Sequence, residues 1–279
     1  MISSYACPDC KKLLDRLLYC SHCHFEFPRV EGIPRLLPRD PRFERTAAIS
    51  ADYDSIYATQ HRVWESQGRT PEFIRYFSSF LDRFPGTRSL EIGCGEGYLL
   101  AARGAGERFA VDLSVEAIRR ARTRASADFS LALAERLPFP ENHFDLVTSV
   151  GVMEHFLDTG EALREVRRIL KPGGHYVNLV HVDLTLPEKL GWMVSQYLFP
   201  RPRPIQFSRW AARQLNRRML GRREKVPLQP IQNRFTTAGG EAWLARSGFD
   251  VRQVVHRRKH PDLPLIGPSV VIYVAQKRT

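Results

Sequence analysis

The chain is short of acidic residues, of long apolar runs and of cysteines beyond five, and each shortage narrows what it can be. Against 42 lysines and arginines stand only 30 aspartates and glutamates, a formal charge of +12. An anionic partner is expected from that balance, be it RNA, an acidic lipid surface or a phosphorylated substrate. Arginine as a plain solvated surface cation accounts for the same excess, so charge alone does not choose. No apolar run approaches the roughly 20 residues that cross a bilayer. The opening Met1-Ile2-Ser3-Ser4 has neither the basic nor the apolar region of a secretory signal, so a cytoplasmic location is expected. With 43% apolar residues in 279, a buried core is assured and a disorder-dominated chain excluded, leaving one large domain or one domain with a small module.

Four of the cysteines form two Cys-x-x-Cys pairs, Cys7 with Cys10 and Cys20 with Cys23, separated by nine residues. In a reducing compartment this pattern favours metal over disulfide. It is the spacing of a zinc ribbon, with room for one short hairpin between the pairs. Four sulfurs close a tetrahedral Zn²⁺ shell and leave no position for water, so the metal is expected to be structural. Two disulfides are the alternative and need an oxidising compartment. His22 and His24 flank the second pair as substitute ligands or as neighbours of the shell.

The chain is organised around Ser89-Leu90-Glu91-Ile92-Gly93-Cys94-Gly95-Glu96-Gly97, an apolar run that breaks into a loop with glycine at every second position. It predicts a strand, a tight turn and a helix start, with Gly93, Gly95 and Gly97 leaving backbone bare for a ligand. Phe109-Ala110-Val111-Asp112 is a second apolar run, and it places an acid 21 residues after Glu91, where a βαβ unit delivers a carboxylate to a ribose. From Arg88 onward short strands and helices alternate, which predicts a doubly wound α/β fold. Strands are expected near 88–92, 107–112, 128–133, 143–150 and 174–181, and helices near 97–104, 114–125 and 160–170. Ser114 is a good N-cap for the second of these, and Lys171-Pro172-Gly173-Gly174 should end the third.

This order of motifs resembles the class I S-adenosylmethionine (SAM) methyltransferases. The glycine loop is followed by Leu137-Pro138-Phe139, Phe144-Asp145-Leu146-Val147, Met153-Glu154-His155 and Leu170-Lys171-Pro172-Gly173-Gly174, in that family's sequence and over roughly residues 88–180. The resemblance implies a mostly parallel, Rossmann-like sheet of seven strands. Its last two strands, near 249–256 and 269–277, pair antiparallel at one edge after a helix over 236–248. It implies SAM as cosubstrate, with Glu91 near the methionyl ammonium, Gly93, Cys94, Gly95 and Gly97 against the methionine and ribose, and Asp112 with Leu113 on the ribose side. Val150 would end the neighbouring strand. The family often reads adenine with an acid before the Ala-Glu pair; this sequence has Leu133 there, so the Ala134 backbone or Glu135 must serve. His155 is the best candidate catalytic base, because a histidine can take a hydroxyl proton near neutral pH. His181 and Asp183 rank below it, and a merely orienting role for His155 is equally open.

Residues 1–40, through Phe27-Pro28-Arg29-Val30-Glu31-Gly32-Ile33-Pro34-Arg35-Leu36-Leu37-Pro38, resemble the small zinc-ribbon proteins that accompany or are fused to methyltransferases. A similar cysteine layout opens the bacterial large-subunit rRNA guanine methyltransferases, although those use a histidine-containing shell. A linker and lid helices follow over 41–87, with helical spacing at 50–57 and 71–84. Tyr53-Asp54 and Tyr57 resemble the tyrosine-bearing lid of small-molecule methyltransferases, though plain packing on the sheet explains them as well. The methyltransferase domain is expected over 88–279, with a substrate-side insertion at 182–234. There Trp192, Tyr197, Phe199, Phe207 and Trp210 interleave with arginines between Arg201 and Arg223. The apolar run Leu190–Phe199 favours an anionic bilayer or a lid over an apolar acceptor, with RNA second. The expected function is methyl transfer to a small or lipid-linked acceptor, chiefly at oxygen. An RNA base methyltransferase and a non-catalytic SAM-binding partner subunit are the alternatives.

Overall fold

A computed structural model describes residues 4–67, 70–84, 86–104, 106–183, 190, 230–257 and 270–278. The insertion's aromatics and arginines from 192 to 223 lie outside these residues. At the centre is a seven-stranded sheet in the order β10-β11-β9-β8-β5-β6-β7. Its strands are β5 (Arg88–Ile92), β6 (Glu107–Asp112), β7 (Asp128–Leu131), β8 (Phe144–Val150), β9 (Leu170–His181), β10 (Phe249–Arg257) and β11 (Val270–Lys277). The β5–β6, β6–β7, β5–β8 and β8–β9 pairs are parallel. The β9–β11 and β10–β11 pairs are antiparallel. The doubly wound, mostly parallel expectation holds, including the antiparallel edge.

The sheet is buried on both faces because alternate residues of one strand feed two cores. Tyr176, Val271, Tyr273 and Ala275 enter a core that also holds Phe139, Phe144, Leu163 and Phe249. Their neighbours Val177, Val270, Ile272 and Val274 join Phe77, Leu81 and Leu146 on the other side. Among the described residues six helices supply the covering faces: α1 (Thr46–Gln67), α2 (Pro71–Leu81), α3 (Tyr98–Ala102), α4 (Val115–Arg124), α5 (Thr159–Ile169) and α6 (Thr237–Arg246). Side-chain oxygens of Thr70, Ser114, Asp158 and Thr236 cap α2, α4, α5 and α6 by accepting the N–H groups of Phe73, Ala117, Glu161 and Gly239.

Several boundaries differ from expectation. The α1 helix runs from Thr46, well ahead of residue 50, and β7 ends at Leu131 because Ala134–Arg136 winds into a short 3-10 turn. Lys171-Pro172-Gly173-Gly174 does not separate α5 from β9 but starts the strand. Leu170 already pairs with Phe144, and the extra residues are absorbed in a bulge before His175 pairs with Leu146.

The N-terminal hairpin also sits elsewhere than predicted. Strands β1 (Tyr19–Cys20) and β2 (Phe25–Glu26) turn over the second cysteine pair itself, not between the pairs. A second small hairpin, β3 (Arg29–Val30) with β4 (Ile33–Pro34), leads back to the sheet. There Arg35 bridges to Leu131, the Leu36 N–H donates to the Leu131 carbonyl at 2.8 Å, and the Ala6 N–H donates to that of Pro138 at 2.9 Å. The exposed edge of β7 is thereby covered. Lys11 completes the seam with a 2.7 Å ion pair to Glu165, whose carboxylate also takes Arg168 at 2.7 Å.

Candidate active site

The loop after β5 is held by the next strand. The N–H groups of Gly93 and Cys94 both donate to the Val111 carbonyl, at 2.8 and 3.1 Å, and that of Gly95 donates to Asp112 Oδ2 at 2.8 Å. Gly93, Gly95 and Gly97 have φ of 66°, 51° and 76°, in the left-handed region that disfavours other residues. The protein's own packing makes a further demand at two of them. A β-carbon at Gly93 would stand 2.4 Å from Val152 Cγ2, and one at Gly97 would stand 2.9 Å from Ala121 Cβ. These two glycines first admit the loop after β8 and helix α4; they are not simply bare backbone kept for a ligand.

Asp112 ends β6 and is buried. Its Oδ1 accepts the Ser114 N–H at 2.9 Å while Oδ2 holds Gly95, so the carboxylate joins the two loops that border the crevice. Above it, α1 is latched to the start of α4. Ser50 Oγ donates to the Leu113 carbonyl at 2.5 Å, and Asp54 Oδ1 accepts Ser114 Oγ at 2.6 Å and the Glu116 N–H at 3.0 Å. Tyr53, beside that latch, has a buried hydroxyl with no hydrogen-bond partner among the described residues. Its ionisation is pushed well above the usual phenol range, first by burial and then by Asp112, Tyr57 and Glu154.

Glu91 is also buried, and its charge acts on Arg103, whose guanidinium is pushed below its ordinary value by burial. Val150 is half-buried at the end of β8. Ala134 opens the 3-10 turn after β7. Glu135 is only 1% exposed, and its Oε1 accepts the Asp158 N–H at 3.1 Å ahead of α5. Burial raises its carboxyl to about 7. Glu135 thus braces that turn through one oxygen, and its second is buried with no hydrogen-bond partner among the described residues.

His155 lies in the 3-10 turn Met153–His155, and its Nδ1 donates to the Ile231 carbonyl at 2.6 Å. Its neighbour Glu154, which the sequence reading quoted in a motif but gave no role, is buried and sits 2.6 Å from Nδ1 of His181. Asp183 is engaged at 3.2 Å by Arg234. The segment after the insertion closes on this turn, with the Asn233 N–H on the Glu154 carbonyl at 2.6 Å and Asn233 Nδ2 on that of Phe156 at 2.7 Å. Glu96 was missed as well. It is fully buried in the glycine loop and pairs with Arg120 at 3.2 Å and Arg124 at 3.5 Å, fastening α4 to the loop.

In the N-terminal module the sulfurs of Cys7, Cys10, Cys20 and Cys23 all lie within 4.8 Å of one another. Cys10 and Cys20 are 3.5 Å apart and Cys7 and Cys23 3.8 Å. A tetrahedron of Zn–S bonds near 2.3 Å has edges of about 3.8 Å, close to both of these separations, so the four sulfurs could hold a metal ion. No helix among the described residues is long and apolar enough to cross a membrane.

Comparison with known proteins agrees with this geometry. Residues 90–178 match the model of a methyltransferase domain family. A ubiquinone biosynthesis O-methyltransferase of Alkalilimnicola ehrlichii is 31% identical over 50% of this chain and 63% of its own length. A ubiquinone/menaquinone biosynthesis C-methyltransferase of Cupriavidus necator is 30% identical over 55% and 64%. The chain thus spans somewhat less than two thirds of these relatives. Among solved structures, the Burkholderia thailandensis 1,6-didemethyltoxoflavin-N1-methyltransferase superposes with a TM-score of 0.56 at 16% identity, covering 91% of this chain and 95% of that one. Residues 90–178 thus match a methyltransferase domain family on a class I methyltransferase fold, and they are preceded by four cysteines whose sulfurs could hold a metal ion.

Proposed function

We propose that the protein is a SAM-dependent methyltransferase acting on a small or lipid-linked acceptor, chiefly at oxygen. The observation that carries this reading is the buried hydroxyl of Tyr53, left without a partner among the described residues on the helix latched to the loop that follows Asp112. A buried unpaired hydroxyl costs on the order of 1–3 kcal/mol, which a polar ligand in the crevice would recover. The site also lies outside the carboxyl ends of β5 and β8, where the strand order reverses and open α/β sheets bind ligands.

SAM supplies an electrophilic methyl group on a positively charged sulfur. The chain's part is alignment and exclusion of water. Asp112 would take the ribose hydroxyls, the Ala134 backbone the adenine, and Glu91 the methionyl ammonium. Helix α1, pinned through Ser50 and Asp54, would close over them with Tyr53 and Tyr57. The O-methyltransferase relative supports oxygen as the acceptor atom; the C-methyltransferase relative, nearly as similar, makes carbon on a like acceptor the second reading. The ribbon, in this reading, holds one structural Zn²⁺ and stabilises the β7 edge.

The test begins with calorimetry, in which SAM should bind wild type and bind Asp112→Ala more weakly. Labelled SAM is then supplied with cell extract, and products are separated into lipid, small-molecule and RNA fractions. Label confined to RNA would overturn the acceptor class. Donor binding unchanged in Asp112→Ala would overturn the site.

A further inference from the structure

We infer that His181, held by Glu154, is the group that accepts the proton from the acceptor hydroxyl, with Glu154 as its positioning residue. The inference rests on the proposed transfer to oxygen.

His181 closes β9 at its carboxyl end, beside the loop that leaves β8. In that loop Gly151 donates its N–H to the Leu179 carbonyl at 2.8 Å. A β-carbon at Gly151 would stand 3.7 Å from His181 Cε1 and 3.8 Å from Glu154 Oε1. The imidazole and the carboxylate therefore lie together over the mouth between β8 and β9. That position is one strand along from the β5–β8 crevice where Gly93 meets Val152.

Burial is divided unequally between the partners. Glu154 has a side chain 6% exposed, whereas that of His181 is 45% exposed. At 2.6 Å from a carboxylate oxygen, Nδ1 carries the hydrogen, which leaves the lone pair on Nε2. Nε2 has no hydrogen-bond partner among the described residues. This is the arrangement a base needs: one nitrogen fixed by an acid, the other open to the substrate side.

His155 has the same tautomer but a different partner, the neutral carbonyl of Ile231. When a histidine takes a proton its charge rises by one, and a buried carboxylate against the opposite nitrogen stabilises that charge far better than a carbonyl does. Glu154 is suited to that moment, since its second oxygen is buried with no hydrogen-bond partner among the described residues. A carboxylate so poorly solvated gains most from a cation arriving at its other oxygen. Asp183, taken by Arg234, has no comparable geometry.

The step balances as follows. The acceptor oxygen bonds to the methyl carbon as its proton passes to Nε2, and the C–S electron pair stays on sulfur. The products are the methyl ether, the neutral thioether and a His181 imidazolium paired with Glu154, which returns its proton to water.

The test uses the full chain and two phenols as probes, catechol and 4-nitrocatechol, the second largely ionised at neutral pH and so in little need of a base. His181→Ala should lower kcat on catechol by a hundredfold or more, the usual scale of base catalysis, and on 4-nitrocatechol by tenfold or less, with KM little changed for either. Glu154→Gln should lower kcat on catechol by roughly tenfold. Independently of turnover, nitrogen-15 NMR of labelled histidine with S-adenosylhomocysteine present should show His181 as the Nδ1–H tautomer, and Glu154→Gln should abolish that fixed state. Equal losses on both phenols, no loss on catechol, or an Nε2–H tautomer in wild type would each overturn the inference while leaving transfer to oxygen standing. If wild type binds the donor but methylates neither phenol, the inference falls together with the oxygen reading for phenols.

Discussion

Replacing Gly93 by alanine isolates a steric demand that the fold makes at the centre of the site. Two costs add. The residue has φ of 66°, and a left-handed backbone costs an L-residue about 1–2 kcal/mol. The new methyl group would also fall 2.4 Å from Val152 Cγ2 and 2.8 Å from Cγ1, an overpacking that costs about 1–3 kcal/mol. Together the loss in unfolding free energy should be about 2–5 kcal/mol, read from denaturant midpoints at unchanged slope. Gly173→Ala is the control, because its φ is 75° but only Gln276 Nε2 lies near, at 3.8 Å. It should lose about 1–2 kcal/mol and no more. Val152→Ala combined with Gly93→Ala should recover the overpacking part, giving a favourable coupling of about 1–3 kcal/mol in a double-mutant cycle. If Gly93→Ala costs no more than Gly173→Ala, or if the coupling is zero, the claim that Val152 fills the space above Gly93 is wrong.

Three other outcomes are expected. Asp54→Ala removes the acceptor for Ser114 Oγ and the Glu116 N–H, and should cost about 1–2 kcal/mol of stability and weaken SAM binding in calorimetry. Glu135 sets a pH dependence: its carboxyl lies at about 7 in the folded protein against 4.5 ordinarily, so between these values the native state holds a proton that the unfolded chain has lost. Stability should therefore fall as pH rises from about 4.5 to 7, by up to about 3 kcal/mol from this group, and Glu135→Gln should flatten that slope in unfolding titrations across the window. Protein purified without added metal should carry about one zinc per chain by elemental analysis, and Cys20→Ser should lower the thermal midpoint more than it lowers kcat.

What the sequence disclosed was whatever is local. The strands of the parallel sheet show as apolar runs such as Phe109-Ala110-Val111, the cap at Ser114 is one residue ahead of its helix, and the four cysteines declare themselves by spacing. Partnerships across long stretches of chain were hidden. Asp54 reads as a surface acid on a helix until α4 is placed 60 residues away against it, and Glu96 reads as a loop charge until Arg120 and Arg124 meet it. The Glu154–His181 pair joins the turn after β8 to the end of β9, 27 residues along the chain. Lys171-Pro172-Gly173-Gly174 misled for a different reason: proline and glycine signal the end of a helix equally well whether a loop or a bulged strand comes next. The glycine loop was located correctly but explained by a ligand, whereas Val152 and Ala121 occupy two of the spaces its glycines leave.

The seam between the cysteine module and the sheet joins two backbone hydrogen bonds, one bridge and one ion pair to apolar packing, with Ile33 buried among Leu100, Ala110 and Ile118 and the Tyr5 ring against Phe139. Between separate molecules these contacts would first have to offset several kilocalories of lost translational and rotational freedom. Carried on one polypeptide, the same surfaces meet at an effective concentration in the millimolar range, and that freedom is already lost. Covalent continuity thus adds to what the interface itself supplies. A chain cut between the module and α1 should let the module drift from the β7 edge upon dilution, baring Leu131 and Pro138 carbonyls to whatever other strand is nearby.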